Sequence, residues 1–408
     1  MLDVLIVGAG PAGATAARTL ASLGLSVRVL ERATFPRNKP CGGGITVRAL
    51  SRFPWLGPAL GRIATHFVAR LYLEGPDGSS AVVESVSPAV LLVRRIEFDN
   101  LLARLAEEAG AEVCEGAWAS AVSADKDGAT VLTRDGRSFR ARYLVAADGV
   151  NGIVTRRLGM HPGWDGASIA LDMMEEAPSD SLRAIDPGTL WVAYGHSGAD
   201  GYGYIFPKRD HVNVGIGCLL SHYRERVTSS PYEMQHNFVA ELKDRGLLAG
   251  ASRRDRFTPC HIPVGGPIAE TARGRVLVTG DAGGFVNAYT AEGIYYAMVS
   301  GDLAARAIAD AARAERPGSH REAARRYVRA WRAEIGAELR DSVLIQKYLF
   351  RETARMAGVV RGAGRHPAIA RAIVDYAVGT LSYPAVRRAV LRRFPWTAGR
   401  LARVALAG

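Results

Sequence analysis

The run Gly8-Ala9-Gly10-Pro11-Ala12-Gly13 constrains this chain more than any other feature. It follows at once on Asp3 to Val7, a short β-branched apolar stretch that reads as a buried parallel strand. Ala14 to Leu23 is Ala-rich and reads as a helix, with Gly24 as its stop, and Ser26 to Leu30 reads as a second strand ending in Glu31. The spacing has a mechanical reason. The first glycine permits a tight turn, the second lets the backbone approach a pyrophosphate, and the third lets the helix pack on the strand. The helix N-terminus then offers free N–H groups and partial positive charge to phosphates, and Glu31 is placed to accept from a ribose. This β–α–β unit predicts dinucleotide binding and leaves FAD and NAD both open.

A length of 408 residues fits about two or three modules. Hydrophobic residues make up 48% and charged residues 23%, which excludes disordered and fibrous classes for the bulk of the chain. The formal charge is +12, and most of it lies at the end: Arg351 to Gly408 holds eleven Arg against one Glu and one Asp. Cys41, Cys114, Cys218 and Cys260 form no C-x-x-C pair, so a disulfide framework or zinc site is a poor reading and a reducing cytoplasm the better one. The N-terminus lacks a basic leader pattern, and no apolar run of about 18 residues predicts a membrane-spanning helix. The nine histidines show no metal-binding spacing, and no G-x-S-x-G elbow occurs.

Further motifs separate the two dinucleotides. Tyr143 to Ala146 reads as a strand leading into Ala147-Asp148-Gly149, and Val276 to Thr279 leads into Gly280-Asp281-Ala282-Gly283-Gly284. Arg95 precedes a helical stretch around Leu101 to Ala106. This set resembles the FAD proteins with a glutathione-reductase-like Rossmann domain. The resemblance implies that Asp281 bonds the flavin ribityl chain and that Gly293-Ile294 aims a helix N-terminus at the flavin ring. It places FAD against Gly8, Gly10, Ala12, Gly13, Glu31, Arg32, Arg95, Ala119 and Asp148 as well. A helix N-cap for Asp281 and a plain turn for Asp148-Gly149 are the alternative readings.

Two segments narrow the family. Pro36-Arg37-Asn38-Lys39-Pro40-Cys41-Gly42-Gly43-Gly44 follows the Glu31 strand, and Tyr202-Gly203-Tyr204-Ile205-Phe206-Pro207 lies mid-chain. With Gly280 to Met298 they are similar to the geranylgeranyl reductase family, over nearly the whole chain. The chain departs from that pattern at Gly283, where the family usually has Ala nearby, at Ala288 in place of Pro, and at Ala291 in place of Gly. The resemblance implies an FAD-dependent oxidoreductase that reduces C=C bonds of an isoprenoid chain on a lipid or quinone-like substrate. The glycine run lets the backbone at Cys41, Gly42 and Gly44 come near the flavin, with Cys41 also a candidate proton donor, against the alternative of a small apolar residue in a tight loop. Such chemistry needs an apolar, aromatic lining. Tyr202, Tyr204, Phe206 and Pro207, with Phe285 and Tyr289, are the candidate substrate contacts, against the alternative of a sheet face packed on the core.

The expected fold class is α/β: an FAD-binding Rossmann domain with an inserted antiparallel β-sheet substrate domain and a C-terminal helical region. The FAD domain is expected at 1–66, 92–165 and 265–310, the sheet domain at 67–91 and 166–264, and the helical region at 311–408. The substrate is expected between sheet and flavin. His366 to Leu406, with Arg387-Arg388 and Arg392-Arg393, reads either as a basic amphipathic surface held peripherally on the inner face of a membrane or as a solvated helical cap. No nucleic-acid module accompanies the charge. Having one nucleotide fingerprint, the chain is expected to take electrons from an external donor, NADPH, ferredoxin or another carrier. The rival functions are an FAD-dependent monooxygenase or halogenase acting on a hydrophobic or aromatic small molecule, and a non-catalytic isoprenoid or FAD carrier.

Overall fold

A computed structural model describes residues 1–85, 88–314, 319–377 and 388. The chain divides into two compact units: 1–39, 96–164 and 263–340 form the first, and 40–95, 165–262 and 341–408 the second.

The first unit is built on an eight-stranded sheet. Its strand order runs Ala272–Arg273, Val276–Val278, Ser138–Ala146, Leu2–Val7, Val27–Leu30, Glu112–Cys114, with the hairpin Ala119–Ala124 and Ala129–Thr133 attached to Ser138–Ala146. Leu2–Val7 pairs in parallel with both Ser138–Ala146 and Val27–Leu30. Val4, Leu5 and Ile6 are wholly buried, as expected for an apolar strand covered on both faces. The helix Pro11–Ser22 starts three residues earlier than the composition indicated. Pro11 sits in its first turn, where a missing N–H costs nothing and a fixed φ already suits the helix. The helix ends before Gly24, whose φ of 87° is left-handed. The long helix Ile294–Ala314 packs beside it, and Thr19 Oγ1 donates to Asp302 at 3.0 Å across that contact.

The second unit holds a seven-stranded sheet in the order Phe257–Pro263, Ile169–Pro178, His211–Leu219, Gly201–Pro207, Thr189–Tyr194, Arg70–Glu74, Ser80–Glu84. It is not purely antiparallel, because Thr189–Tyr194 runs parallel to Arg70–Glu74. The helix Pro231–Asp244 covers one face. A capping box of Ser230 and Glu233 starts it, and Phe238, Val239 and Leu242 pack on Trp191, Ile205, Val214 and Ile216.

Two joins differ from the expected partition. Residues 40–66 and 92–95 belong to the second unit, because Gly44–Thr46 and Thr65–Val68 both pair with Val90–Val93. Residues 311–340 belong to the first, since the helix Ile294–Ala314 runs unbroken past 310 and Ser319–Trp331 packs on it and on the sheet edge. The helices Thr353–Arg365 and Pro367–Ala377 belong to the second unit. The basic tail from 378 on, apart from 388, lies outside the described residues, Arg387, Arg392 and Arg393 included. Among the described residues no helix is long and apolar enough to cross a membrane.

Candidate functional site

In the first unit the glycine turn makes an open cradle. Gly8 has a φ of 98°, and a Cβ there would lie 2.2 Å from the Ala147 carbonyl oxygen. Among the described residues, the only heavy atom within 4 Å of a Cβ at Gly10 would be Arg37 Nη2, 3.9 Å away. Gly10 is the N-cap of Pro11–Ser22 and has no side chain to satisfy the first-turn N–H groups. These groups and the helix field suit an anion in front of Gly10.

Glu31 stands at the end of the second strand, 5% exposed. Its carboxylate accepts from the Ala9 N–H at 2.9 Å and from the Ala33 N–H at 3.0 Å. It therefore clamps the glycine turn to the strand end, and an ionised carboxylate keeps lone pairs for a further hydroxyl. Arg37 was not singled out by the sequence. Its Nη1 donates to Asp99 at 3.1 Å, and its Nε lies 3.5 Å from Glu31 Oε1 without hydrogen-bond geometry. Its place six residues beyond Glu31, within the Pro36 to Gly44 segment that carries the family resemblance, was the available signal. Arg32 reaches Trp118, the neighbour of Ala119, with the guanidinium 5.7 Å from the ring, while Arg134 stacks on the same ring at 3.4 Å. Arg32 and Ala119 are thus gathered around one exposed indole at the sheet end.

Asp148 takes the capping role. Its Oδ2 accepts from the Ile153 and Val154 N–H groups at 2.6 and 2.9 Å, at the start of the helix Val154–Arg157, while Oδ1 is buried without a partner. Burial pushes this carboxyl above its usual range. Arg95 is buried at the first residue of the helix Arg95–Glu108.

Asp281 lies in the turn Gly280–Gly283 after the strand Val276–Val278. A Cβ on Gly293 would stand 3.3 Å from Asp281 Oδ1, which puts the carboxylate beside the start of the helix at Ile294. Among the described residues no side chain or N–H donates to that carboxylate. The loop between them is held by Asn287, whose Oδ1 accepts from the Tyr289 and Thr290 N–H groups, each at 3.1 Å. Tyr289 is buried in that loop. Ala291 adopts a φ of 54°, the single left-handed non-glycine residue among those described. Phe285 is fully buried, its ring 5.3 Å from Trp331 and 6.4 Å from Tyr327.

In the second unit, Tyr202, Tyr204 and Phe206 share one face of the strand Gly201–Pro207. Ring centroids are 6.2 Å apart for the first pair and 4.7 Å for the second. The face packed on Phe238 is the opposite one, which carries Gly203 and Ile205. The loop Cys41–Gly44 lies on the aromatic side: a Cβ at Gly42 would stand 2.7 Å from the Phe206 ring and 3.6 Å from that of Tyr204. The Gly43 N–H points to Cys41 Sγ at 3.4 Å. Pro207 is buried and leads into Lys208, itself buried, which pairs with the partly buried Glu176 at 2.6 Å. Asp172 accepts from the Tyr204 hydroxyl at 3.1 Å. Burial pushes that phenol well above its ordinary pKa, and the neighbouring Asp172 carboxylate adds to it. Asp172, Lys208 and Glu176 were not foreseen; an acid inside the apolar run Ile169–Met174 was the signal for the first. Among the described residues no cluster of three His, Cys, Asp or Glu is placed to hold a metal ion.

Comparison with known proteins gives the family and the fold. Residues 1–335 match the family model described as FAD binding domain. The menaquinone reductase of Mycobacterium tuberculosis is 33% identical over 324 residues, covering 74% of this chain and 75% of that protein. The digeranylgeranylglycerophospholipid reductase 2 of Methanothermobacter thermautotrophicus is 30% identical over 361 residues, covering 85% and 87%. A geranylgeranyl bacteriochlorophyll reductase-like protein from Thermoplasma acidophilum shares the fold, with a TM-score of 0.81 and 21% identity over 99% of each chain.

Proposed function

This chain belongs to the FAD-binding-domain family and, within it, to the geranylgeranyl reductase group, and we propose that it reduces carbon–carbon double bonds in an isoprenoid chain carried by a lipid or quinone-like molecule. FAD is the cofactor. The residues of the first unit suit it on three counts: an uncapped helix start before an open Gly10, a buried acid at the second strand end, and an unpartnered carboxylate beside Gly293.

In this reading the N–H groups after Gly10 and the Arg37 guanidinium hold the pyrophosphate. Glu31 accepts from the adenosine ribose, with Arg32 and Ala119 toward the adenine. Asp281 accepts from the ribityl hydroxyls, and the helix start at Gly293-Ile294 directs its partial positive charge at the flavin ring. When bound and reduced, FAD supplies a hydride. The protein's own work is to orient the alkene and keep water away from it.

The observation that carries the substrate proposal is the aromatic row Tyr202, Tyr204 and Phe206, free of the helix-covered core and lined by the Cys41–Gly44 loop. It presents apolar surface to a chain without polar handles. Cys41 belongs to this lining. The arginine-rich segment after Arg351 would favour an anionic lipid surface, where such a substrate resides. Electrons reach FAD from an external carrier.

The test is anaerobic. The protein is reduced, mixed with polyprenyl lipids and quinones, and followed by return of the oxidised-flavin absorbance and by mass spectrometry. Reoxidation coupled to uptake of two hydrogens per double bond supports the proposal. Reoxidation by oxygen alone, with every isoprenoid left intact, overturns it.

A further inference from the structure

The aromatic row of the second unit does not stop at Tyr202. In the pairing of Thr189–Tyr194 with Gly201–Pro207, Tyr194 lies directly across from Tyr202, so the two side chains share a face, and their rings are 6.1 Å apart. The Phe350 ring stands 6.2 Å from Tyr194 and is tilted 37° to it. Phe206, Tyr204, Tyr202, Tyr194 and Phe350 are thereby linked ring to ring, at steps of 4.7 to 6.2 Å. All of them belong to the second unit.

The two ends of this row differ. At the Phe206 end, a Cβ on Gly43 would stand 3.0 Å from Nζ of Lys208, which pairs with Glu176, so charge is close by. At the other end Gly195 follows Tyr194 with a φ of 64°, and a Cβ there would meet Met356 Cε at 2.9 Å and Pro76 Cβ at 3.1 Å. Met356 is 2% exposed and Phe350 is 8% exposed. The Phe350 N–H donates to the Gln346 carbonyl at 3.0 Å, which closes the last turn of the helix ending at Leu349 and holds the ring on a fixed backbone. This second end is a packed, apolar wall.

An isoprenoid chain repeats one five-carbon unit and ends in an apolar tip. Each unit moved from water onto apolar surface adds a similar increment to binding. A unit that meets a close-packed wall adds nothing unless the wall gives way, because such an interior has no spare volume. A row of rings that ends in a wall therefore measures a chain from its tip.

We propose that Phe350 is a specificity-determining residue that sets the longest isoprenoid tail the second unit accepts, with Tyr194 leading the chain from the strand row to that stop. The inference rests on the isoprenoid reading above and adds chain length to it. The tip lies against Phe350, away from the charged pair of Lys208 and Glu176.

The test uses the full FAD-loaded protein and polyprenyl monophosphates graded one isoprene unit at a time, with binding read by calorimetry. In the wild type, affinity should rise about tenfold or more per unit and then stop rising at one length. Phe350→Ala should move that break to a chain one unit longer, whose affinity should exceed the wild-type value about tenfold or more, while chains below the break stay within about threefold. A cooperative thermal transition reports that the variant is folded. If it is lost, Phe350→Leu replaces it, and the longer chain should gain about threefold or more. Affinity that rises with length without a break, or a break that stays in place in the folded variant, overturns the proposal while the isoprenoid reading stands. A wild type that binds no polyprenyl chain of any length overturns both.

Discussion

Gly42 and Phe206 approach so closely that a Cβ on the glycine would stand 2.7 Å from the phenylalanine ring. The Cys41–Gly44 loop is thereby fitted to the aromatic row as one surface. Gly42→Ala must push the ring or the loop aside. It should cost about 1–3 kcal/mol in denaturant unfolding and lower kcat/KM for an isoprenoid substrate. Unfolding curves and turnover that match the wild type would show that the loop and ring are not fitted in this way.

Arg37 is the cation nearest the glycine cradle. Arg37→Lys keeps a charge but loses the planar fork that spans Asp99 and the space before Gly10. FAD affinity should fall about tenfold or more, read by titrating apoprotein with FAD, with the far-UV circular dichroism unchanged. An unaltered dissociation constant would remove Arg37 from the phosphate site.

Ala291 holds a φ of 54°, a conformation that costs an L-residue about 1 kcal/mol and glycine little. Ala291→Gly should therefore leave stability level or raise it, by up to about 1 kcal/mol net of the added unfolded-state entropy. The loop from Asn287 to Glu292 would keep its hydrogen bonds. A loss beyond about 1 kcal/mol by thermal unfolding would contradict the strain argument.

Asp200 in the second unit is pushed up to about 7, chiefly by burial, although the Leu219 N–H donates to it at 3.1 Å. A raised carboxyl binds its proton more tightly in the folded state than in the unfolded one. Its contribution to stability is thus greatest near pH 4 and declines as pH rises through about 7. Asp200→Asn should flatten that decline and stabilise the protein at pH 8 by roughly 1–2 kcal/mol, after discounting for solvent screening. Urea unfolding of both proteins at pH 5 and pH 8 checks the sign.

Cys41 was a candidate proton donor in the sequence. If Cys41 is that donor, Cys41→Ala should slow isoprenoid reduction about 100-fold or more while still binding FAD. Single-turnover reoxidation measures it, and a wild-type rate in Cys41→Ala would remove the thiol from the chemistry.

What the sequence disclosed was local. The glycine spacing, the acid at Glu31, the stop at Gly24 and the turn at Asp281 are backbone requirements written over a few adjacent residues. The helix start at Pro11 shows the same rule at finer grain, since proline suits a first turn that composition alone placed later. What stayed hidden was long-range. Tyr204 and Asp172 are 32 residues apart, and Cys260 and Asp172 are 88 apart, so no periodicity links them. The boundary near Pro40 was missed for the same reason, because it depends on Gly44–Thr46 finding its partner strand Val90–Val93. The packing of Phe285 on Trp331 was hidden likewise, because the two are 46 residues apart.

The clamp of Glu31 on the Ala9 and Ala33 N–H groups has a kinetic side. The carboxylate is already locked in its rotamer, so in the proposed seating an arriving adenosine would meet a finished receptor and little ordering entropy would oppose capture. Escape, by contrast, would have to abandon the proposed ribose, phosphate and ribityl contacts together. Slow departure of the yellow cofactor during dilution and dialysis is the natural outcome of that asymmetry.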